Sequence, residues 1–112
     1  MKLYGIIGNT LRHSYSKEFF NEKFGEQNIV ANYENFLLPS IDSLKAILKC
    51  NPNLQGLNVT IPFKQAVFAY LDEVDPIAQE IGAVNVIKIT NIDGKPYLKG
   101  FNTDWYGFSE SI

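Results

Sequence analysis

Ala83-Val84-Asn85-Val86-Ile87-Lys88-Ile89-Thr90 and Tyr97-Leu98-Lys99-Gly100-Phe101, joined across Asp93-Gly94, spell out a β-hairpin. Asp-Gly between two such runs is a strong turn signal, because both central positions of the tight turn need a positive φ. Pro96 falls just before the second run, where a strand tolerates a residue without an N–H. With the turn placed there, paired residue numbers sum to about 187. Asn85 is then expected opposite Asn102, close to Asp104.

Upstream, the pattern alternates between strand and helix. Residues 3–7 are an apolar run ending at Gly8, the mark of a strand buried on both faces. Residues 14–24 read as a helix, with Tyr15, Phe19, Phe20 and Phe24 at helical spacing and Gly25 as its stop. A second strand is expected over 29–38, ending at Pro39. Ser40 is an N-cap for a helix whose Ile41, Leu44, Ile47 and Leu48 form one apolar stripe. A third strand covers 54–60, and Pro62 opens a short helix over 63–71. Asp75-Pro76 begins another, with Ile77 and Ile81 on one face and Gly82 as terminator. Beyond the hairpin, 103–112 reads as the start of a helix with Asp104 in its first turn. The expected fold is α/β: a mostly parallel open sheet with one antiparallel strand from the C-terminal hairpin, and helices on both faces.

At 112 residues the chain is one domain, and 46% hydrophobic with 20% charged residues is the composition of a globular protein. The net charge of −2 has no basic run, which argues against nucleic acid as a partner. No apolar stretch approaches the roughly 18–20 residues that span a bilayer, so no membrane partner is expected either. The apolar N-terminus is too short for a signal peptide, and the single cysteine, Cys50, suits the cytoplasm. One histidine, His13, and one cysteine do not make a zinc site, so no metal is expected. A Ser-His-Asp triad would have to use His13, which has no evident orienting partner. The last apparent helix reaches Ile112 without a stop signal, which points to a longer polypeptide; a natural end at a fraying helix is the alternative.

Four segments at element ends, where open α/β sheets bind ligands, carry chemistry. Ser14 and Ser16 bracket a helix start, where hydroxyls, free N–H groups and the helix dipole together suit a small carboxylate. Plain capping by Ser14 accounts for the same residues. Asn58 and Thr60 share one side of a strand end, and Lys64 follows in the first turn of a helix. A cation there opposes the dipole, which marks a functional ammonium as readily as a solvated side chain. Asn85 is an amide in an apolar strand start, or a turn residue. Thr103 and Asp104 are either helix-start residues or, with the hairpin register, neighbours of Asn85 in one site. A lysine–carboxylate pair relays a proton, and amides and hydroxyls around it fix a polyol.

In this order, from Tyr4-Gly5-Ile6-Ile7-Gly8-Asn9 through His13-Ser14-Tyr15-Ser16, Asn58-Val59-Thr60-Ile61-Pro62-Phe63-Lys64 and Gly82-Ala83-Val84-Asn85 to Gly100-Phe101-Asn102-Thr103-Asp104, the segments resemble the shikimate dehydrogenase family. The resemblance implies a substrate-binding domain of an enzyme that reduces 3-dehydroshikimate to shikimate with NADPH, in aromatic amino-acid biosynthesis. It implies that Ser14 and Ser16 hold the substrate carboxylate and that Thr60, Asn85 and Asp104 bind ring hydroxyls. Lys64 is then the catalytic acid/base with Asp104 its partner, and Asn58 supports them. NADP would sit on a C-terminal Rossmann domain, since the chain has no Gly-x-Gly pair, and the fragment alone is expected not to turn over. The sequence departs from the family at Lys17, Phe20 and Val86, where Pro, His and Thr are frequent, which leaves shikimate against quinate open. A homodimer of the full-length protein is compatible with this reading, and a binding module without chemistry or a flavodoxin-like interaction domain are the other classes.

Overall fold

The computed structural model describes residues 2–9, 15–28 and 30–103; the side chains of Tyr15, Ser16 and Phe19 are not among what is described. Six strands, β1 (Lys2–Gly8), β2 (Ala31–Leu37), β3 (Leu54–Val59), β4 (Glu73–Val74), β5 (Val86–Ile92) and β6 (Lys95–Phe101), form one sheet in the order β2-β1-β3-β5-β6-β4. β1 pairs in parallel with β2 and β3, and β4 in parallel with β6, whereas β5 is antiparallel to both its neighbours. One strand thus runs against the other five, as the hairpin requires, but it lies inside the sheet rather than at its edge.

The hairpin has the register that the turn dictates. Ile92 pairs with Lys95 and Val86 with Phe101, and Asp93 and Gly94 take φ of 52° and 79°. Both central residues are left-handed, as a type I′ turn demands.

Two apolar layers sandwich the sheet. α1 (Tyr15–Glu26) covers one face, where Phe20 and Phe24 pack with Tyr4, Ile6, Tyr33 and Val86. α2 (Leu44–Cys50), α3 (Phe63–Ala66) and α4 (Pro76–Ile81) contribute to the larger cluster on the other face, with Leu44, Phe63 and Ala78 against Ile7, Leu57 and Ile87. β1 feeds both layers, Leu3 and Ile7 into one and Tyr4 and Ile6 into the other, which is why its sequence is apolar throughout.

β3 carries an irregularity with a consequence for the site. Leu3 pairs with Leu54 but Tyr4 with Gly56, so Gln55 is an extra residue. Leu54 and Leu57, three apart, therefore both enter the larger cluster, which an unbroken period of two forbids. Past the bulge, Leu57 and Val59 face that cluster, and Asn58 reaches Tyr33 on the α1 side.

Strands β1 and β2 approach closely at Gly5. A Cβ there would lie 2.5 Å from the Phe36 ring and 2.6 Å from the Glu34 carbonyl oxygen. Gly5→Ala is expected to destabilise the fold by about 1–3 kcal/mol, because a backbone oxygen cannot swing aside as a side chain can. Urea unfolding with an unchanged m-value checks it.

Several boundaries differ from the sequence reading. α1 does not stop at Gly25; it runs to Glu26, and Asn28 supplies the left-handed residue, with φ of 56°. Ile77 and Ile81 do not face the core: they are 60% and 57% exposed, and Ala78 is the residue α4 buries. The expected helix over 63–71 is α3 followed by a 3₁₀ turn (Val67–Tyr70), and the Ser40-capped segment opens with a 3₁₀ turn (Ile41–Ser43) before α2. β4 escaped notice because two residues carry no periodicity. It is held by backbone bonds from the Asp72 N–H to Leu98 and the Asp75 N–H to Gly100, each at 2.9 Å, and by side chains: Asp72 accepts from the Leu98 N–H at 2.8 Å, and Glu73 meets Lys99 at 2.9 Å and Tyr97 Oη at 2.9 Å. Lys99, then Tyr97, hold the Glu73 carboxyl below its usual range. The expected helix over 103–112 lies outside the described residues, apart from Thr103.

Candidate functional site

The strand registers define one end of the sheet. Gly8 pairs with Leu37, Ile7 with Val59, Asn58 with Val86 and Val86 with Phe101. The carboxyl ends of β1, β2, β3 and β6 and the amino end of β5 thus line up, and open α/β sheets bind ligands there.

Asn58, next to last in β3, donates from Nδ2 to Tyr33 Oη at 2.6 Å. Tyr33 is fully buried and its ring stacks on Phe20, with centroids 4.9 Å apart. Asn21 grips the same residue's backbone, donating to its carbonyl at 3.1 Å and accepting from its N–H at 2.9 Å. Helix α1, β2 and the end of β3 are therefore one unit. Sequence reasoning missed Tyr33. Its only signal was a phenol in a strand, which when buried needs a partner for its hydroxyl.

Thr60 continues β3's edge. Its N–H and its hydroxyl both go to the Ile7 carbonyl, each at 3.1 Å, and its own carbonyl accepts from Phe63 at 3.0 Å. That last bond turns the chain into α3. Buried Phe63 anchors the helix, and Lys64 follows half-buried in its first turn. The Lys64 ammonium forms no ion pair with any of the described residues.

The Val84–Asn85 segment ties these parts together. Val84 N–H donates to the Lys64 carbonyl at 2.8 Å, the Asn85 carbonyl accepts from Val59 at 2.8 Å, and Asn85 N–H donates to Phe101 at 3.0 Å. The Asn85 carboxamide is engaged as well: Oδ1 accepts from the Thr103 N–H at 2.8 Å and Nδ2 donates to the Thr103 carbonyl. Among the described residues, Oδ1 keeps one acceptor site and Nδ2 one donor hydrogen beyond these bonds.

Asn58, Thr60, Lys64 and Asn85 are thus brought to one sheet end. Ser14 and Asp104 lie outside the described residues. Ser16 is placed only by its backbone, in the first turn of α1. Of the departures, Lys17 pairs with Glu34 at 3.3 Å on an exposed surface, and Val86 is buried against the α1-side cluster. Phe20 fills the core beneath Tyr33. All three have structural roles among the described residues: an ion pair for Lys17 and core packing for Phe20 and Val86.

Two open cavities lie elsewhere. One of about 440 Å³ is lined by Lys45, Lys49, Asn51 and Asn91 near the hairpin turn, and one of about 470 Å³ sits over Gly56 between Tyr4 and Lys88. Neither contains any of the four residues, and the first faces the opposite end of the strands. Among the described residues no group of three or more His, Cys, Asp or Glu side chains is placed to hold a metal, and no helix is long and apolar enough to cross a membrane.

Known proteins resemble the chain over most of its length. Residues 6–87 match the family described as shikimate dehydrogenase substrate binding domain. A shikimate dehydrogenase (NADP(+)) of Bacillus cereus strain AH187 is 41% identical over 99% of the chain, which spans 39% of that relative's length. The crystal structure of shikimate dehydrogenase 1 from Peptoclostridium difficile superimposes with a TM-score of 0.82 at 36% identity, covering 97% of this chain and 40% of that one. A Thermus thermophilus shikimate 5-dehydrogenase, solved in complex with NADP(H) and shikimate, gives a TM-score of 0.78 at 35% identity, covering 99% of this chain and 41% of that one. With its fold and nearly all of its length matched, the chain belongs to the shikimate dehydrogenase substrate-binding domain family.

Proposed function

We propose that this chain is the substrate-binding, acid/base part of an enzyme that reduces 3-dehydroshikimate to shikimate with NADPH. The observation that carries the reading is the convergence of Asn58, Thr60, Lys64 and Asn85 on one sheet end, linked by the Val84–Lys64 and Asn85–Val59 backbone bonds. A polyol carboxylate needs several fixed neutral polar groups and one cation, and this edge supplies them.

NADP does not fit the residues of this chain. It has no Gly-x-Gly pair to bring backbone against a pyrophosphate, so the cofactor is assigned to a further, Rossmann-type domain of a longer polypeptide. Support for that domain comes from the length of the relatives, of which the chain matches 39% in the Bacillus cereus protein.

Within the chain, Lys64 hydrogen-bonds the ring carbonyl oxygen and donates its proton as the carbonyl becomes a hydroxyl. Asp104, the neighbour of Thr103 in sequence, is assigned as its proton partner. A cation beside the oxygen also stabilises the negative charge that develops there. Thr60 and Asn85 orient the ring hydroxyls. Asn58, bonded to Tyr33, keeps the β3 end in place. Ser14 and Ser16 are assigned to the carboxylate.

Titration of shikimate into this chain, followed by amide chemical shifts, tests the reading. Shifts are expected at Asn58, Thr60, Lys64 and Asn85, with quinate giving weaker or equal ones. Saturating shikimate without change at these positions would overturn it. Addition of NADPH and 3-dehydroshikimate to the 112-residue chain is expected to leave the absorbance of the reduced nicotinamide unchanged.

A further inference from the structure

We propose that Asn102, which carries no assigned role, is a positioning residue that holds the exit of β6 in register with Lys64; this rests on the functional reading above. The last backbone bond of the hairpin runs from Asn85 N–H to the Phe101 carbonyl. Beyond it the ladder continues through carboxamides. The Asn85 side chain takes both polar groups of Thr103, as one more strand residue would, and Asn102 Nδ2 donates back to the Ala83 carbonyl at 3.0 Å. One amide reaches forward from 85 to 103 and the other back from 102 to 83.

These two crossing bonds bracket Val84, whose N–H holds the Lys64 carbonyl at 2.8 Å. Val84 is itself fully buried, so it cannot give way to solvent. The bracket therefore makes the Thr103 peptide and the start of α3 parts of one hydrogen-bonded frame. Loss of the Asn102 donor frees the Ala83 carbonyl and leaves Thr103 held from one side only. A misplacement of about 1 Å between reacting groups costs on the order of 10²-fold in rate.

The test is kinetic, in the full polypeptide that carries this domain. Asn102→Ala is expected to lower kcat for 3-dehydroshikimate reduction by about 10- to 100-fold, with KM changed less than about threefold. Asn102→Ser, which keeps a shorter donor, should recover part of the loss. A thermal midpoint that falls while kcat per folded molecule and KM stay as in the parent would overturn the inference. So would failure of both variants to fold, which would make Asn102 a purely structural residue. Parent protein that does not reduce 3-dehydroshikimate sinks the functional reading instead, and Lys64→Ala as a control separates the two failures.

Discussion

Lys64→Ala in the full polypeptide is expected to lower kcat for the proposed 3-dehydroshikimate reduction by about 10²- to 10⁴-fold, the range for removal of a positioned general acid. The Michaelis constant should change far less. A group that acts mainly on charge developing in the transition state contributes little to ground-state binding. The placement of Lys64 supports this expectation. Its backbone is anchored by buried Phe63 before it and by the Val84 N–H on its carbonyl, while its side chain is half-buried and forms no ion pair among the described residues. Steady-state kinetics check the result. Equal loss in kcat and gain in KM would reduce Lys64 to a binding residue.

Leu57→Ala is expected to cost about 3–5 kcal/mol, a large share of the roughly 5–15 kcal/mol that holds a domain together. Leu57 is fully buried, pairs with Gly5 and Ile87 across the two neighbouring strands, and sits where the parallel half of the sheet meets antiparallel β5. Its side chain fills the cluster that joins Leu44, Phe63 and Ala78 of the helices to Ile7 and Ile87 of the neighbouring strands, and the sheet side of the resulting cavity cannot close without breaking ladders. Thermal unfolding should fall by roughly 12–20 °C for a domain of this size. By contrast Ile92→Ala, at a side chain 50% exposed near the turn, should change stability by less than about 0.5 kcal/mol.

The Asp93-Gly94 turn and the apolar 3–7 run were legible because each signal is local. A turn that needs two left-handed residues names its own sequence, and a strand buried on both faces cannot hide a polar position. From the turn alone followed the register that puts Asn85 beside the end of β6, and the structure has that register. Less local features were not legible. Ile77 and Ile81 satisfy helical spacing, yet α4 turns Ala78 to the core, because periodicity names a face without saying which way it points. The Gln55 bulge resets the phase of β3, and no residue at that point announces it.

Composition, alternation and one turn were enough to determine the class of fold, the antiparallel hairpin and the identity of the polar residues at strand ends. Those properties depend on contacts between near neighbours in the chain, which the order of residues states directly. Only the tertiary structure decided that β5 pairs with β3, that Tyr33 caps Asn58, and that the Asn85 amide holds Thr103. Each of these joins segments 18 or more positions apart, and they are selected by burial and by the need of every enclosed polar group for a partner, conditions that exist only once the chain has closed on itself.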